Sequence, residues 1–236
     1  MIKRFSRAVL VIFAILIFPI NAFCSKISLG TIVVDFNDPK TKFIDVPVYN
    51  VNEDGSKAYV KTSVLEVLNP GTKDESRIEV AKNQKQSLIV SPQKMVIPFK
   101  GQKNIRLVSL YNDLQKDKVF RVRVEPIIAK VESTAKRAVK VLIAYEALII
   151  VRPSQIKPSL EGKREGNKIF FKNTGNTSIL VRGATQCPTN NLDPDKCKEI
   201  PGFRLYSGNS YEVDLPFDSK VDFAVNFGNN SETRSF

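Results

Sequence analysis

The apolar residues of this chain alternate with polar ones in run after run, and almost no stretch repeats at the helical period. Val-, Ile-, Leu-, Phe- and Tyr-rich runs cover Ile27 to Phe36, Phe43 to Tyr49, Ala58 to Leu68, Ser87 to Val90 and Lys94 to Ile97. Further runs cover Asn104 to Leu110, Val119 to Pro126 and Ala138 to Val151. Turn clusters separate them: Asn37-Asp38-Pro39, Glu53-Asp54-Gly55, Asn69-Pro70-Gly71, Lys100-Gly101 and Tyr111-Asn112-Asp113. A helix needs an apolar stripe that none of these runs supplies, so the pattern predicts an all-β chain.

Eight such strands in about 125 residues predict an antiparallel β-sandwich of immunoglobulin size. Arg152-Pro153-Ser154-Gln155 reads as a linker. After it come Lys168 to Lys172, Ser178 to Arg182, Phe203 to Tyr206, Ser210 to Leu215 and Lys220 to Phe227. These predict a second, smaller and more polar β-sandwich, so the domains are expected at 25–152 and 153–236.

The N-terminus carries Lys3, Arg4 and Arg7, then an apolar run from Ala8 to Phe18, then Pro19 and Asn21. That order is a secretory signal peptide, and the run is too short for the roughly 20 apolar residues of a membrane anchor. With Ala22 three residues back, cleavage after Cys24 fits, and Phe23 argues against lipidation. Removing residues 1–24 takes three of the 36 basic residues and none of the 24 acidic ones, leaving about +9. Of the three cysteines it leaves Cys187 and Cys197, an even pair in an exported chain, for which a disulfide is the default. Such charge invites anionic partners, and export speaks against nucleic acid.

With no histidine, a Ser-His-Asp triad and a Cys-His dyad cannot be built, and most zinc sites lose their commonest ligand. Asp193 and Asp195 in the cysteine loop fall short of a calcium cage. No catalytic residue, metal site or cofactor is therefore expected, and a secreted hydrolase, which would need a carboxylate pair in a cleft, finds none selected by the sequence.

Ala138 to Val151 is more than twice the ordinary strand length. Val139, Val141, Ile143 and Tyr145 form one apolar face, opposite Lys140, Leu142, Ala144 and Glu146. It reads either as a core strand or as a strand that outruns its sheet and offers Val139, Val141 and Ile143 to another protein. On the second reading Leu142 faces the domain's own core, and an unliganded molecule can hide the exposed strand by self-association.

The order and spacing of several segments resemble a known family. They are Leu68-Asn69-Pro70-Gly71, Ile89-Val90-Ser91-Pro92-Gln93-Lys94 with Ile97-Pro98, Lys103-Asn104-Ile105-Arg106-Leu107, Val119-Phe120-Arg121-Val122 with Glu125, and Tyr145-Glu146-Ala147-Leu148-Ile149. With the Cys187/Cys197 loop, they resemble the PapD-like periplasmic chaperones of the chaperone-usher pathway, in the class serving alpha, or colonisation-factor, fimbriae. The resemblance implies two immunoglobulin-like domains set at an angle and a periplasmic, non-enzymatic role. It implies capture of fimbrial subunits that lack a strand, with Val139, Val141 and Ile143 as donors and Tyr145 at the edge of that set, and delivery to an outer-membrane usher.

Where the family anchors a subunit's terminal carboxylate with an Arg and a Lys, this chain carries Val33 and Leu148, so Arg121 and Arg123 become the candidate anchors. The linker Arg152 matches an interdomain ion pair, while its acidic partner aligns with Asn226. A secreted structural or adhesive fimbrial β-protein is the competing reading. The long strand, lying mid-chain before a second domain, favours the chaperone.

Overall fold

The computed structural model describes residues 26–80, 87–127, 142–189 and 193–236. The leader, Val139 and Val141 lie outside them. In the first half the strands are β1 (Ile27–Leu29), β2 (Val33–Phe36), β3 (Phe43–Asn50), β4 (Ala58–Leu68), β5 (Ser76–Glu79), β6 (Leu88–Ser91), β7 (Lys94–Ile97), β8 (Gln102–Ser109), β9 (Lys118–Pro126) and β10 (Tyr145–Val151). One sheet runs β1-β3-β8-β6; the other runs β2-β10-β9-β4-β5, with β7 also on β4. Val46, Val48, Ile105 and Leu107 of the first sheet pack against Val60, Phe120, Val122 and Ile149 of the second.

The second half holds β11 (Leu160–Glu165), β12 (Lys168–Asn173), β13 (Ile179–Val181), β14 (Ala184–Gln186), β15 (Lys198–Ile200), β16 (Phe203–Leu205), β17 (Ser210–Asp214), β18 (Asp222–Phe227) and β19 (Asn230–Ser235). They form sheets β11-β12-β17 and β16-β13-β18-β19 and the hairpin β14-β15, around a core of Ile169, Phe171, Val181, Phe223 and Val225. Phe171 meets Phe223 and Phe236 edge-on. Cys187 and Cys197 are joined. The chain is thus two immunoglobulin-like β-sandwiches, and no helix among the described residues is long and apolar enough to cross a membrane.

Two strand expectations need correction. Ile27 to Phe36 is not one strand: β1 pairs with β3 and β2 with β10, in different sheets. The switch falls at Gly30, whose N–H donates to Pro47 O at 2.9 Å, and at Thr31, whose hydroxyl turns back to Val33 O. The long strand is also shorter within the described residues, starting at Tyr145, with 142–144 irregular.

Candidate functional site

The alternation of β9 and β10 decides what the site is made of. Phe120, Val122 and Val124 of β9, with Ala147, Ile149 and Val151 of β10, point into the first core. Their neighbours Val119, Arg121, Arg123 and Glu125, and Glu146, Leu148 and Ile150, therefore line the opposite face, because successive side chains alternate. The second domain covers one end of that face: Tyr206 packs on Val67, Val119, Leu148 and Ile150.

At the covered end stands Arg152, its side chain 2% exposed. Its Nε and Nη2 donate to the two carboxylate oxygens of Asp35, each at 2.7 Å, and Nε also to Asn37. Its Nη1 reaches across to Ser178 O at 3.0 Å and to the Thr177 hydroxyl. Asp117 lies 3.7 Å from Nη1 and accepts from the Ser178 N–H at 2.6 Å. Burial pushes the Asp117 carboxyl above its usual value, against the pull of the Ser178 N–H and Arg152. Arg152 is thus an interdomain residue, but its acids are Asp35 and Asp117, both from the first domain. Asn226, which aligns with the acidic partner of the family, pairs with Leu180 in the sheet and accepts from Ser231.

A second contact joins the domains beside it. Asn209 donates to Pro70 O at 2.8 Å, and Gly71 (φ +71°) lies so close to the Tyr206 ring that a Cβ would stand 2.9 Å from it. The Asn69-Pro70-Gly71 turn is therefore a docking element, which its turn signature alone did not reveal.

Next along the face come the charged candidates. In register, Arg123 stands opposite Glu146 and Arg121 opposite Leu148, which in turn stands opposite Val33. Arg123 donates to Glu146 Oε1 from Nε at 2.8 Å and from Nη2 at 2.6 Å, while Arg77 of β5 holds Oε2 at 2.6 Å. Glu75 accepts from Arg77 and from the Gly71 N–H, which with Arg121 hold its carboxyl below the usual range. The Arg121 side chain makes no hydrogen bond among the described residues, and its Nε–H is buried without a partner. The two arginines that looked alike in the sequence are therefore in opposite states, one neutralised and one open.

Of the donor candidates, Tyr145 lies in β10 and falls on the other face, in register with Val124. Val151, Ile149 and Ala147 are buried, Tyr145 is half-buried against the first core, and Ile143 is 52% exposed. The inward row of β10 is thus buried at its C-terminal end, and the chain just before the strand is exposed. Leu142 does not face the core as expected: it is exposed, in the irregular segment before β10. The core-facing parity belongs to the odd positions because Tyr145 and Ala147, in register with the inward Val124 and Val122, set it.

The edges of β10 differ as well. On the β9 side it is paired from Tyr145 to Val151, whereas β2 pairs only from Leu148 onward. Ile32 and Val33, at the start of β2, are exposed at that corner.

No family model matches the chain. It is 30% identical over 179 residues to a CS1 fimbrial protein of Escherichia coli named as a fimbrial subunit, covering 71% of this chain and 72% of that protein. Among solved structures it is similar to the class 5 fimbriae chaperone CfaA, at 26% identity and a TM-score of 0.61, covering 89% of this chain and 98% of that one. A chain from a chaperone–tip adhesin complex of CFA/I fimbriae biogenesis matches in fold, at 24% identity and a TM-score of 0.59, covering 89% and 98%.

Proposed function

The chain belongs to the PapD-like periplasmic chaperones of the chaperone-usher pathway, in the class of the CFA/I fimbriae, and we propose that it captures fimbrial subunits by donor-strand complementation and delivers them to an outer-membrane usher. Residues 1–24 would direct its export, and Val139, Val141 and Ile143 would be the donors. The observation carrying this reading is that the inward row of β10 is buried at Ile149, while Ile143, in the irregular segment just before the strand, stands exposed. A groove that accepts Ile143 continues the chaperone's own core into the subunit, and each side chain so buried contributes about 1.5–3 kcal/mol. Tyr145, packed against the first core, marks where the row passes from one protein to the other.

The half-open edge of β10 supports the same reading. An incoming strand can add its backbone beside Tyr145–Ala147 and must stop where β2 takes over at Leu148. Arg121 is the cross-strand neighbour of Leu148, so a terminal carboxylate arriving there would meet the open guanidinium, whose planar donors suit it. Arg121 rather than Arg123 is thus our choice of anchor. Because the donor completes a fold, the step needs no nucleotide.

The fimbrial-subunit reading, suggested by the name of the Escherichia coli relative, is weaker on one count: two sandwiches spanning nearly the whole length of a chaperone leave the exposed strand in mid-chain rather than as a terminal extension. The test is Ile143→Asp. A carboxylate cannot enter an apolar groove cheaply, so co-purification of a fimbrial partner from a periplasmic extract should be lost while the melting curve stays put, the native side chain being exposed. Undiminished capture by a folded variant would exclude the donor assignment.

A further inference from the structure

Arg121 and Arg123 lie on one face of β9 two residues apart, roughly 7 Å, and this spacing creates a problem of register. A partner strand that slips by one residue turns every side chain to the wrong face, and the mismatch rejects it. A slip of two keeps every face correct and moves the partner's terminal carboxylate from one arginine to the next. Alternate side chains alone discriminate weakly against that error.

The structure makes the two arginines unequal through one residue. Glu146 stands opposite Arg123 in the register and takes both of its donors on Oε1, while Oε2 takes Arg77. Glu75 holds the other side of Arg77 at 3.3 Å. Three guanidiniums thus share two carboxylates, and the one without an ion pair among the described residues is Arg121. Its charge still acts on Glu75 and on the Tyr206 hydroxyl of the second domain. Two successive cleft-side positions of β10 decide this outcome: Glu146 occupies Arg123, and Leu148, which cannot, leaves Arg121 open.

Resting on the reading of Arg121 as the carboxylate anchor, we propose that Glu146 is a positioning residue that fixes the register of the bound strand by withholding Arg123. It need not touch the partner. It selects a chain end bearing one carboxylate, delivered at the level of Leu148 and at no other rung.

The probe is a synthetic twelve-residue peptide of alternating valine and threonine, with a free C-terminal carboxylate or as its amide. The readout is the ratio of the two affinities for the mature, full-length protein, by fluorescence anisotropy. Wild type should favour the acid about 10- to 100-fold, the worth of a charged hydrogen-bonded contact. Arg121→Gln should abolish the preference. Adding Glu146→Gln to Arg121→Gln should bring it back, because Arg123 is released, and further replacement of Arg123 by Gln should remove it again.

If the double variant shows no preference, Glu146 does not withhold Arg123 and the proposal is overturned. If Arg121→Gln alone leaves the preference intact, it is the anchor reading that falls. Melting curves check that each variant is folded, and Glu146→Ala repeats the experiment with a second side chain.

Discussion

Replacing Arg152 by Met keeps the aliphatic stem and deletes only the guanidinium, so the loss is electrostatic. The native group joins Asp35, Asn37, Thr177 and Ser178 and lies beside Asp117, whose side chain is 4% exposed. Removing one member of a buried ionic cluster leaves the others charged and dry, which costs about 3–5 kcal/mol. At about 2–4 °C per kcal/mol for a chain of this size, melting should fall by roughly 6–20 °C. Because the lost bonds to Thr177 and Ser178 cross the junction, calorimetry should also show the two domains melting further apart than in wild type.

The control is chemically the same pair in water. Arg106 holds both oxygens of Asp45 at 2.7 Å on the outer face of the first sheet, exposed to solvent. Screening makes that pair weak, so Arg106→Met should leave the melting curve nearly where it was. Equal shifts for the two variants would refute the claim that burial, rather than geometry, gives Arg152 its weight.

Three further outcomes follow. Burial raises the Asp117 carboxyl above its ordinary 3.8, so the folded chain binds that proton more tightly than the unfolded one; the resulting stability is complete below the ordinary value and is lost as pH rises through the folded one. Asp117→Asn, which cannot ionise, should therefore gain on wild type between pH 3.5 and 7 in paired melting curves, and a pH-independent difference would contradict this. Gly71→Ala combines a left-handed φ of +71° with a Cβ 2.9 Å from the Tyr206 ring; it should cost more than the roughly 1 kcal/mol of the backbone strain alone, and a neutral effect in urea unfolding would show that the turn does not dock the second domain. Cys197→Ala opens a loop of sequence separation 10 and should cost about 3 kcal/mol on the chain-entropy model, while native mature protein shows no titratable thiol.

What the sequence could reveal depended on where each strand lies in its sheet. Central strands such as β4 and β9 bury one face and so advertise themselves by alternation. Edge strands do not: β5 reads Ser-Arg-Ile-Glu and is exposed throughout, and β19 reads Asn-Ser-Glu-Thr-Arg-Ser. Their backbone bonds to one neighbour hold them, and nothing in their side chains had to change to allow it. The junction was half legible for a similar reason. Arg152 stands in the linker, where a charged residue next to a proline draws notice, but Asp35 is 117 residues away and Asp117 sits in a polar loop among other polar residues. Only the closing of the fold brings them together.

The same limit explains the misplaced Leu142. A strand offered to a partner was expected to carry its donors on the face turned away from its own core, which sent Leu142 inward. That holds for a strand that binds sideways, across its sheet. A strand that leaves its sandwich lengthwise obeys a different rule, because its side chains keep alternating in one frame from end to end. Val151, Ile149, Ala147 and Tyr145 share one inward face, and just before the strand Ile143 stands exposed. On the donor reading we propose, the donor face would be the core face continued beyond the end of the core. A period-two pattern cannot mark where that end falls, since Ile149 and Ile143 look alike in it; the mark is the rung at which the neighbouring layer stops, and that belongs to the tertiary structure. Substitutions along the row should accordingly pass from unfolding the chaperone, at Ile149, to sparing it while abolishing capture, at Ile143, with Tyr145 doing some of each.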